Sequence, residues 1–219
     1  MANISAFLPA AAILLAGYLI GSIPFGFIIG KLHGIDIRKV GSGNIGATNV
    51  TRSVGKVAGK ICFALDFCKG FLPVLALKML VARGVIAPVM YGMDEALVIL
   101  AVVLGHMFTI YLKFKGGKGI ATALGGIAGI APLPAAAAFI VWLAVFKISG
   151  YVSLGSIIAA AALPVLVWLF GALKITAQVK LPMLIFFVVL AVAAIWAHRS
   201  NIKRLINGTE NSFKKQDNE

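Results

Sequence analysis

Three clusters of small, polar and basic residues interrupt an otherwise apolar sequence, and each is suited to holding a phosphate group. The first runs Gly41-Ser42-Gly43-Asn44-Ile45-Gly46-Ala47-Thr48-Asn49-Val50-Thr51-Arg52. Glycines let backbone N–H groups approach an anion, Ser42, Thr48 and Asn49 add donors, and Arg52 supplies a planar fork for phosphate oxygens. An ordinary flexible loop of turn residues is the competing reading. The stretch contains G-x-G-x-x-G, but a dinucleotide site needs a preceding strand and an acidic residue on the ribose about 20 residues later. Here an apolar helical run precedes it, and Asp66 lies inside another, so that reading is rejected.

The second cluster is Lys113-Phe114-Lys115-Gly116-Gly117-Lys118-Gly119. It resembles a Walker loop, but the glycine five residues before Gly117 is missing, and Gly119 stands where a magnesium-binding Ser or Thr is required. Nucleotide hydrolysis is therefore unsupported. The expected chemistry is an anion nest of backbone amides and lysines at the N-terminus of the following helix, whose dipole also favours negative charge. The third cluster runs from His198-Arg199-Ser200-Asn201 through Arg204 to Gly208-Thr209-Glu210. A continued helix would place His198 and Asn201 on one face. Its cations also suit anionic lipid headgroups, and a lone histidine is more often structural than functional.

Two ionisable residues stand apart from these clusters. Asp66 and Lys69 lie three apart inside an apolar run, where they would neutralise each other as a structural or a catalytic pair. Only seven residues are acidic, and no His, Cys and carboxylate group has ligand spacing, so neither a metal nor a cofactor is expected. Cys62 and Cys68 would be about 9 Å apart along a helix and point in different directions, so no disulfide is expected between them.

The elements that carry these clusters must be membrane helices. The chain is 61% hydrophobic and 12% charged, with a mean hydropathy of +1.01, which excludes a water-soluble domain. The net charge of +13 would suggest nucleic acid in a soluble protein. Here the basic residues sit between apolar runs, which points to topology and anionic ligands instead. Runs long enough to cross about 30 Å of hydrocarbon fall at 5–30, 56–81, 95–112, 119–131, 133–148, 150–171 and 181–198. The first lacks the basic flank of a cleaved signal and is expected to remain as a span. Pro132 and Pro134 should split 119–148 into two helices. The split places the basic loops at Lys31–Lys60 and Lys113–Lys118 and the basic C-terminus together on the cytoplasmic side. The expected architecture is all-α, with about seven transmembrane helices and the N-terminus outside. One domain spans 1–211, with a frayed polar tail at 212–219. Glycines four apart, such as Gly17 with Gly21 and Gly125 with Gly129, read as helix packing.

Taken together the clusters resemble the three signature motifs of the acyl-phosphate-dependent glycerol-3-phosphate acyltransferases of bacterial membranes, the PlsY family. Motif one is similar to Gly41-Ser42-Gly43-Asn44 through Arg52. Motif two matches Gly105-His106-Met107-Phe108 through Lys115-Gly116-Gly117-Lys118-Gly119, and motif three matches His198-Arg199 through Asn201 to Gly208 and Glu210. Thr109 departs from the family, which commonly has proline there. The resemblance implies a seven-helix fold in the bacterial inner membrane and acylation of the 1-hydroxyl of glycerol 3-phosphate by acyl phosphate. It implies phosphate contacts at Gly43, Asn44, Thr48, Asn49, Lys115, Gly116, Gly117, Lys118 and Gly119. Catalytic roles would fall to Ser42, Arg52, His198 and Asn201, with Glu210 bracing the loop. No His-x-x-x-x-Asp pair occurs, since none of His33, His106 and His198 has an Asp five residues later. The resemblance then points to the donor's own phosphate as base. The competing class is a transporter or channel for a phosphorylated metabolite, which would bind its substrate near the midplane rather than at one interface; a non-catalytic scaffold would leave the three motifs unexplained.

Overall fold

The computed structural model describes residues 4–88 and 93–214. The described residues fold into helices, and the chain divides into two compact units, one ending at Ile130 and the other beginning at Ala131.

In the first unit, α1 (Ile4–Ser22) and α2 (Phe25–Leu32) replace the single run expected at 5–30. Pro24 brings no N–H and disfavours helix at Ile23, so the chain breaks between them. A loop leads to the short α3 (Ala47–Ser53), then to the long α4 (Lys56–Ala82) and α5 (Asp94–Met107). The run expected to continue to residue 112 ends at Met107. A 3-10 turn at Ile110–Leu112 follows, and α6 (Ile120–Ile130) completes the unit. Helix α1 packs on α5, and α4 packs on both α3 and α6.

Glycine makes these pairings close. A Cβ on Gly21 would strike the backbone of Val102, and one on Gly105 the carbonyl of Tyr18. The α4–α6 seam repeats the device, with Gly70 against the Thr122 carbonyl and Gly125 against that of Phe67. Lipid is as apolar as a leucine side chain, so membrane helices associate through close packing of this kind rather than through a hydrophobic drive.

The second unit begins with α7 (Pro132–Ser149), separated from α6 at Ala131 as the prolines predict. Gly150, at φ +79°, adopts the left-handed conformation that ends α7. Then follow α8 (Val152–Ala172), α9 (Leu181–Ala197) and α10 (Arg199–Ile206). Helix α8 packs between α7 and α9, and α10 contacts α8 and α9. Helix does not continue through His198 as expected, for α9 and α10 are bent by 56° there. The tail also differs from the frayed segment expected. The Phe213 N–H donates to the Gly150 carbonyl at 2.9 Å. Its ring meets Phe146 edge-on at 5.7 Å and so extends the Phe139–Trp142–Phe146 stack. Of the expected tail, 215–219 lie outside the described residues.

Large apolar side chains crowd the outer surface, among them Leu15, Val57, Leu72, Ile140, Ile148, Val165, Trp168, Ile185 and Val192. Patches of this extent are stable only where lipid replaces water. Among the described residues four segments can cross a bilayer by length and composition: Ala11–Leu32, Asp94–Leu112, Pro132–Ser149 and Val152–Ala172. The bent α9–α10 pair would make five. Helix α4 has the length but carries Asp66, Lys69 and Lys78, and α6 has 11 residues.

Candidate functional site

The first cluster forms the loop before α3 and that helix itself. Gly41 and Gly43, at φ +59° and +69°, take left-handed conformations that a side chain would strain. Asn49, 1% exposed, sits at the centre of the loop. Its amide donates to the carbonyls of Ile37 at 2.8 Å and Val40 at 3.2 Å, and its Oδ1 accepts the Ser42 N–H at 3.0 Å. Asn49 therefore does not offer its donors to phosphate as expected, because both amide hydrogens already hold the loop. Other amides are engaged too. Gly43 N–H donates to the Val40 carbonyl at 3.1 Å, and Gly46 N–H to Asn44 Oδ1 at 2.8 Å. The groups this loop can bring to an anion are side chains: the Ser42 hydroxyl, exposed at its tip, with Asn44, Thr48 and Arg52 half-buried. Nearby, two hydrogen bonds from Arg38, at 2.7 and 2.8 Å, hold the Asp36 carboxyl far below the usual carboxylate range and raise the arginine in turn.

The second cluster has a similar economy. Lys113 and Phe114 are consecutive non-glycine residues with left-handed backbone, at φ 53° and 61°, each costing on the order of 1 kcal/mol. Surrounding bonds over-determine them, with Phe114 N–H donating to the Thr109 carbonyl at 2.8 Å. Lys115 N–H donates to the Leu112 carbonyl at 3.2 Å, Gly116 N–H to Met107 at 3.0 Å and Gly117 N–H to His106 at 3.1 Å. The anion nest expected at Lys115, Gly116 and Gly117 is thus filled by the chain's own carbonyls. These glycines are needed for close approach: a Cβ on Gly116 would strike the carbonyls of His106 and Met107, and one on Gly117 the His106 ring. Gly119, at φ +76°, turns the chain into α6. The side chains of suitable charge here are the exposed Lys115 and the half-buried Lys118, beside the first turn of α6, whose dipole favours an anion.

Two ties fix this loop to α1. Tyr18 Oη donates to the Phe108 carbonyl at 2.7 Å, and Thr109 Oγ1 to the Ser22 carbonyl at 2.5 Å. Thr109, at φ −64° and ψ 124°, has a backbone that proline also adopts, and its hydroxyl adds a hydrogen bond. One apolar cluster joins the two loops. Ile37, Ile45 and Val50 of the first share it with Leu112 at the entrance to the second, together with Ile29, Ala58 and Cys62.

Beneath the second loop lies a polar cluster of which the sequence shows only part. Asp66 and Lys69 form the expected ion pair at 2.7 Å, both buried. His106 Nδ1 faces the same carboxylate at 3.6 Å, and Thr122 Oγ1 lies 3.4 Å from that nitrogen. Cys62 Sγ donates to Asp66 Oδ2 at 3.7 Å. Both cysteines are free thiols, Cys62 buried and Cys68 exposed. Sequence spacing pairs Asp66 with Lys69 but carries no sign of His106, which arrives on another helix. The sequence marks it only as part of the motif that begins Gly105-His106, with nothing to join it to Asp66.

The third cluster belongs to the second unit. His198 occupies the bend, 3% exposed, and its Nδ1–H donates to the Ala194 carbonyl at 2.8 Å. In a neutral ring the lone pair is then on Nε2. Glu210 gathers the rest: its Oε1 accepts from Ser153 Oγ at 2.9 Å and Asn201 Nδ2 at 2.8 Å, and its Oε2 from Arg204 Nε at 2.7 Å. Burial would raise the Glu210 pKa, but the bonds from Asn201, Arg204 and Ser153 outweigh it and hold the carboxyl below its ordinary value. Among the described residues no group of three or more His, Cys, Asp and Glu could hold a metal.

Apolar helices with lipid-facing surfaces, joined by tightly turned basic loops, define a multi-pass helical membrane protein. Its loops present hydroxyls, amides and cations rather than a nucleotide fold. A family model described as glycerol-3-phosphate acyltransferase matches residues 11–208, and the chain belongs to this family. The glycerol-3-phosphate acyltransferase of Desulforamulus reducens is 48% identical over 90% of this chain and 92% of its own, and that of Aquifex aeolicus 43% identical over 93% and 99%. A crystal structure of PlsY, an integral membrane glycerol 3-phosphate acyltransferase in its glycerol 3-phosphate form, superposes with a TM-score of 0.81. It is 41% identical and covers 94% of this chain and 96% of its own. A second, in its lysophosphatidic acid form, gives 0.78 at 40% identity. The protein is an acyltransferase of the membrane.

Proposed function

We propose that the chain transfers the acyl group of an acyl phosphate to the 1-hydroxyl of sn-glycerol 3-phosphate, giving 1-acylglycerol 3-phosphate and inorganic phosphate. This is the first acylation of phospholipid synthesis. The observation that carries the reading is the pair of forms in which the solved relative exists, one with glycerol 3-phosphate and one with lysophosphatidic acid. These two molecules differ by one ester. In the transfer the hydroxyl oxygen attacks the acyl carbonyl, the bond to the phosphate oxygen breaks, and the departing phosphate takes the hydroxyl proton. Phosphate is a good leaving group, so the reaction needs positioning and charge stabilisation more than a strong base, and no cofactor.

The roles follow from the chemistry of the side chains in each cluster. Lys118, with Lys115 and the first turn of α6, takes the phosphate of glycerol 3-phosphate. Ser42 and Arg52, with Thr48 and Asn44, hold the acyl phosphate. His198 and Asn201 orient the hydroxyl or the developing oxyanion, and Glu210 holds Asn201 in place through its 2.8 Å bond. Asn49 and the glycines serve by shaping the loops.

For the membrane we propose seven spans, with α1–α2, α4, α5, α6, α7, α8 and α9 crossing the bacterial inner membrane. The N-terminus lies outside, the C-terminus and the three basic clusters lie in the cytoplasm, and residues 1–211 work as one acyltransferase domain. The neutrality of the Asp66–Lys69 pair and the basic loops support this arrangement.

Purified protein in detergent, given palmitoyl phosphate and glycerol 3-phosphate, should release phosphate and form lysophosphatidic acid in equal amounts. Product formed only from an acyl thioester would overturn the choice of donor. A transporter, needing two compartments, would form no product at all. The topology falls if Ser42→Cys, Lys118→Cys and His198→Cys are labelled by an impermeant thiol reagent from opposite sides.

A further inference from the structure

The ion pair of α4 takes no part in the reaction described above, yet it touches the supports of both loops of the first unit. Ionisable side chains inside a membrane helix are costly and are retained where they serve function. Lys69 Nζ, 2.7 Å from Asp66 Oδ1, also donates to the Ile23 carbonyl at 2.8 Å. It lies 5.5 Å from the centre of the Phe25 ring. Both contacts fall at the α1–α2 break, and α2 leads directly into the Ser42 loop. On the other side Asp66 Oδ1 faces His106 Nδ1 at 3.6 Å, with Thr122 Oγ1 3.4 Å from the same nitrogen. The far edge of that ring lies against Gly117, where a Cβ would overlap it, and the His106 carbonyl accepts the Gly117 N–H at 3.1 Å. Lys118 is the next residue. A continuous set of contacts therefore runs from the carboxylate, through one imidazole, to the backbone that carries the phosphate-binding lysine.

We propose that Asp66 and Lys69 are positioning residues for the acyl acceptor: the ion pair sets the His106 ring, the ring sets Gly117, and Gly117 sets Lys118. The inference rests on the reading that the Lys118 loop holds the phosphate of glycerol 3-phosphate. A pair that served stability alone would be replaceable by neutral side chains of similar volume without kinetic selectivity. A positioning pair would not.

The experiment measures kcat, KM for glycerol 3-phosphate, KM for palmitoyl phosphate and the melting midpoint. The variants are the neutral double substitution Asp66→Asn with Lys69→Met, the charge-keeping Asp66→Glu and Lys69→Arg, and Lys118→Ala. The neutral pair should raise KM for glycerol 3-phosphate at least about tenfold and leave that for palmitoyl phosphate within about twofold, because displacements near an ångström suffice to lose such contacts. Equal rises in both KM values, or a changed midpoint with unchanged kinetics, overturn the proposal. If the neutral pair does not fold, Asp66→Glu and Lys69→Arg carry the same expectation, and unchanged KM in both overturns it. Lys118→Ala separates the two levels. With KM for glycerol 3-phosphate unchanged there, the assignment of the loop falls and the inference with it. With KM raised there but not in the ion-pair variants, the inference alone falls.

Discussion

Replacing Glu210 by glutamine isolates the part played by charge in the third cluster. The carboxylate, with a side chain 5% exposed, accepts three hydrogen bonds from Ser153, Asn201 and Arg204 and donates none. Glutamine keeps the shape but turns one acceptor into a donor, so at least one of the three partners meets an N–H instead of an oxygen. Hydrogen bonds to a charged group contribute about 1.5–3 kcal/mol each, and a buried group left unpaired costs a similar amount. The expected loss is about 2–3 kcal/mol, lowering the melting midpoint by about 5–10 °C. Asn201 would lose its anchor, so kcat should fall at least about tenfold, with KM for both substrates changed less. The pH dependence carries an independent signature. The Glu210 pKa is lowered from 4.5 in the folded protein, so the unfolded chain binds more protons between the two values. Its stabilisation is complete above about pH 4.5 and is lost as pH falls through the folded value. Wild-type stability should decline on acidification in that window, and Glu210→Gln should lack this component. Thermal melts followed by helical circular dichroism in detergent, with phosphate release at neutral pH, test both. A variant that melts with the wild type and turns over normally would refute the reasoning.

Five other substitutions probe the clusters and their supports. Arg52→Ala and His198→Ala should each lower turnover by at least about a hundredfold, the scale of losing one electrostatic or acid–base contributor; near-normal phosphate release in both would remove them from the site. Gly117→Ala forces a methyl into the His106 ring and should raise KM for glycerol 3-phosphate more than about tenfold. Gly34→Ala strains a turn at φ +73° but places its methyl in open space, away from the His106 ring, and should leave that KM unchanged in the same assay. Asn49→Asp replaces a donor to two carbonyls by a buried anion and should cost about 3 kcal/mol or more in thermal melts; a wild-type midpoint would show that the loop does not depend on it.

What the sequence determined by itself was the solvent and the helical nature of the chain, with the residue types each cluster holds. Long apolar runs allow only helix in lipid, and Pro132 with Pro134 placed a break that the chain makes at Ala131. Asp66 and Lys69, three apart on a helix, had to meet. Ser42, Arg52, Lys118 and His198 stood out because residue type alone sets what a side chain can donate. The tertiary structure decided which polar groups are already engaged. Glycines beside lysines read as an anion nest, yet the amides of Gly116 and Gly117 bind the carbonyls of Met107 and His106. Asn49 is occupied by the carbonyls of Ile37 and Val40. Such partners come from loops and other helices, and a local pattern of residues holds no record of them. The same is true of His106, brought to Asp66 from another helix, and of Phe213, whose docking on Phe146 orders residues that composition reads as a frayed end. Spacing along the chain sets the local face each side chain occupies, but hydrogen bonds are completed through space, by groups that only the packed fold brings within reach.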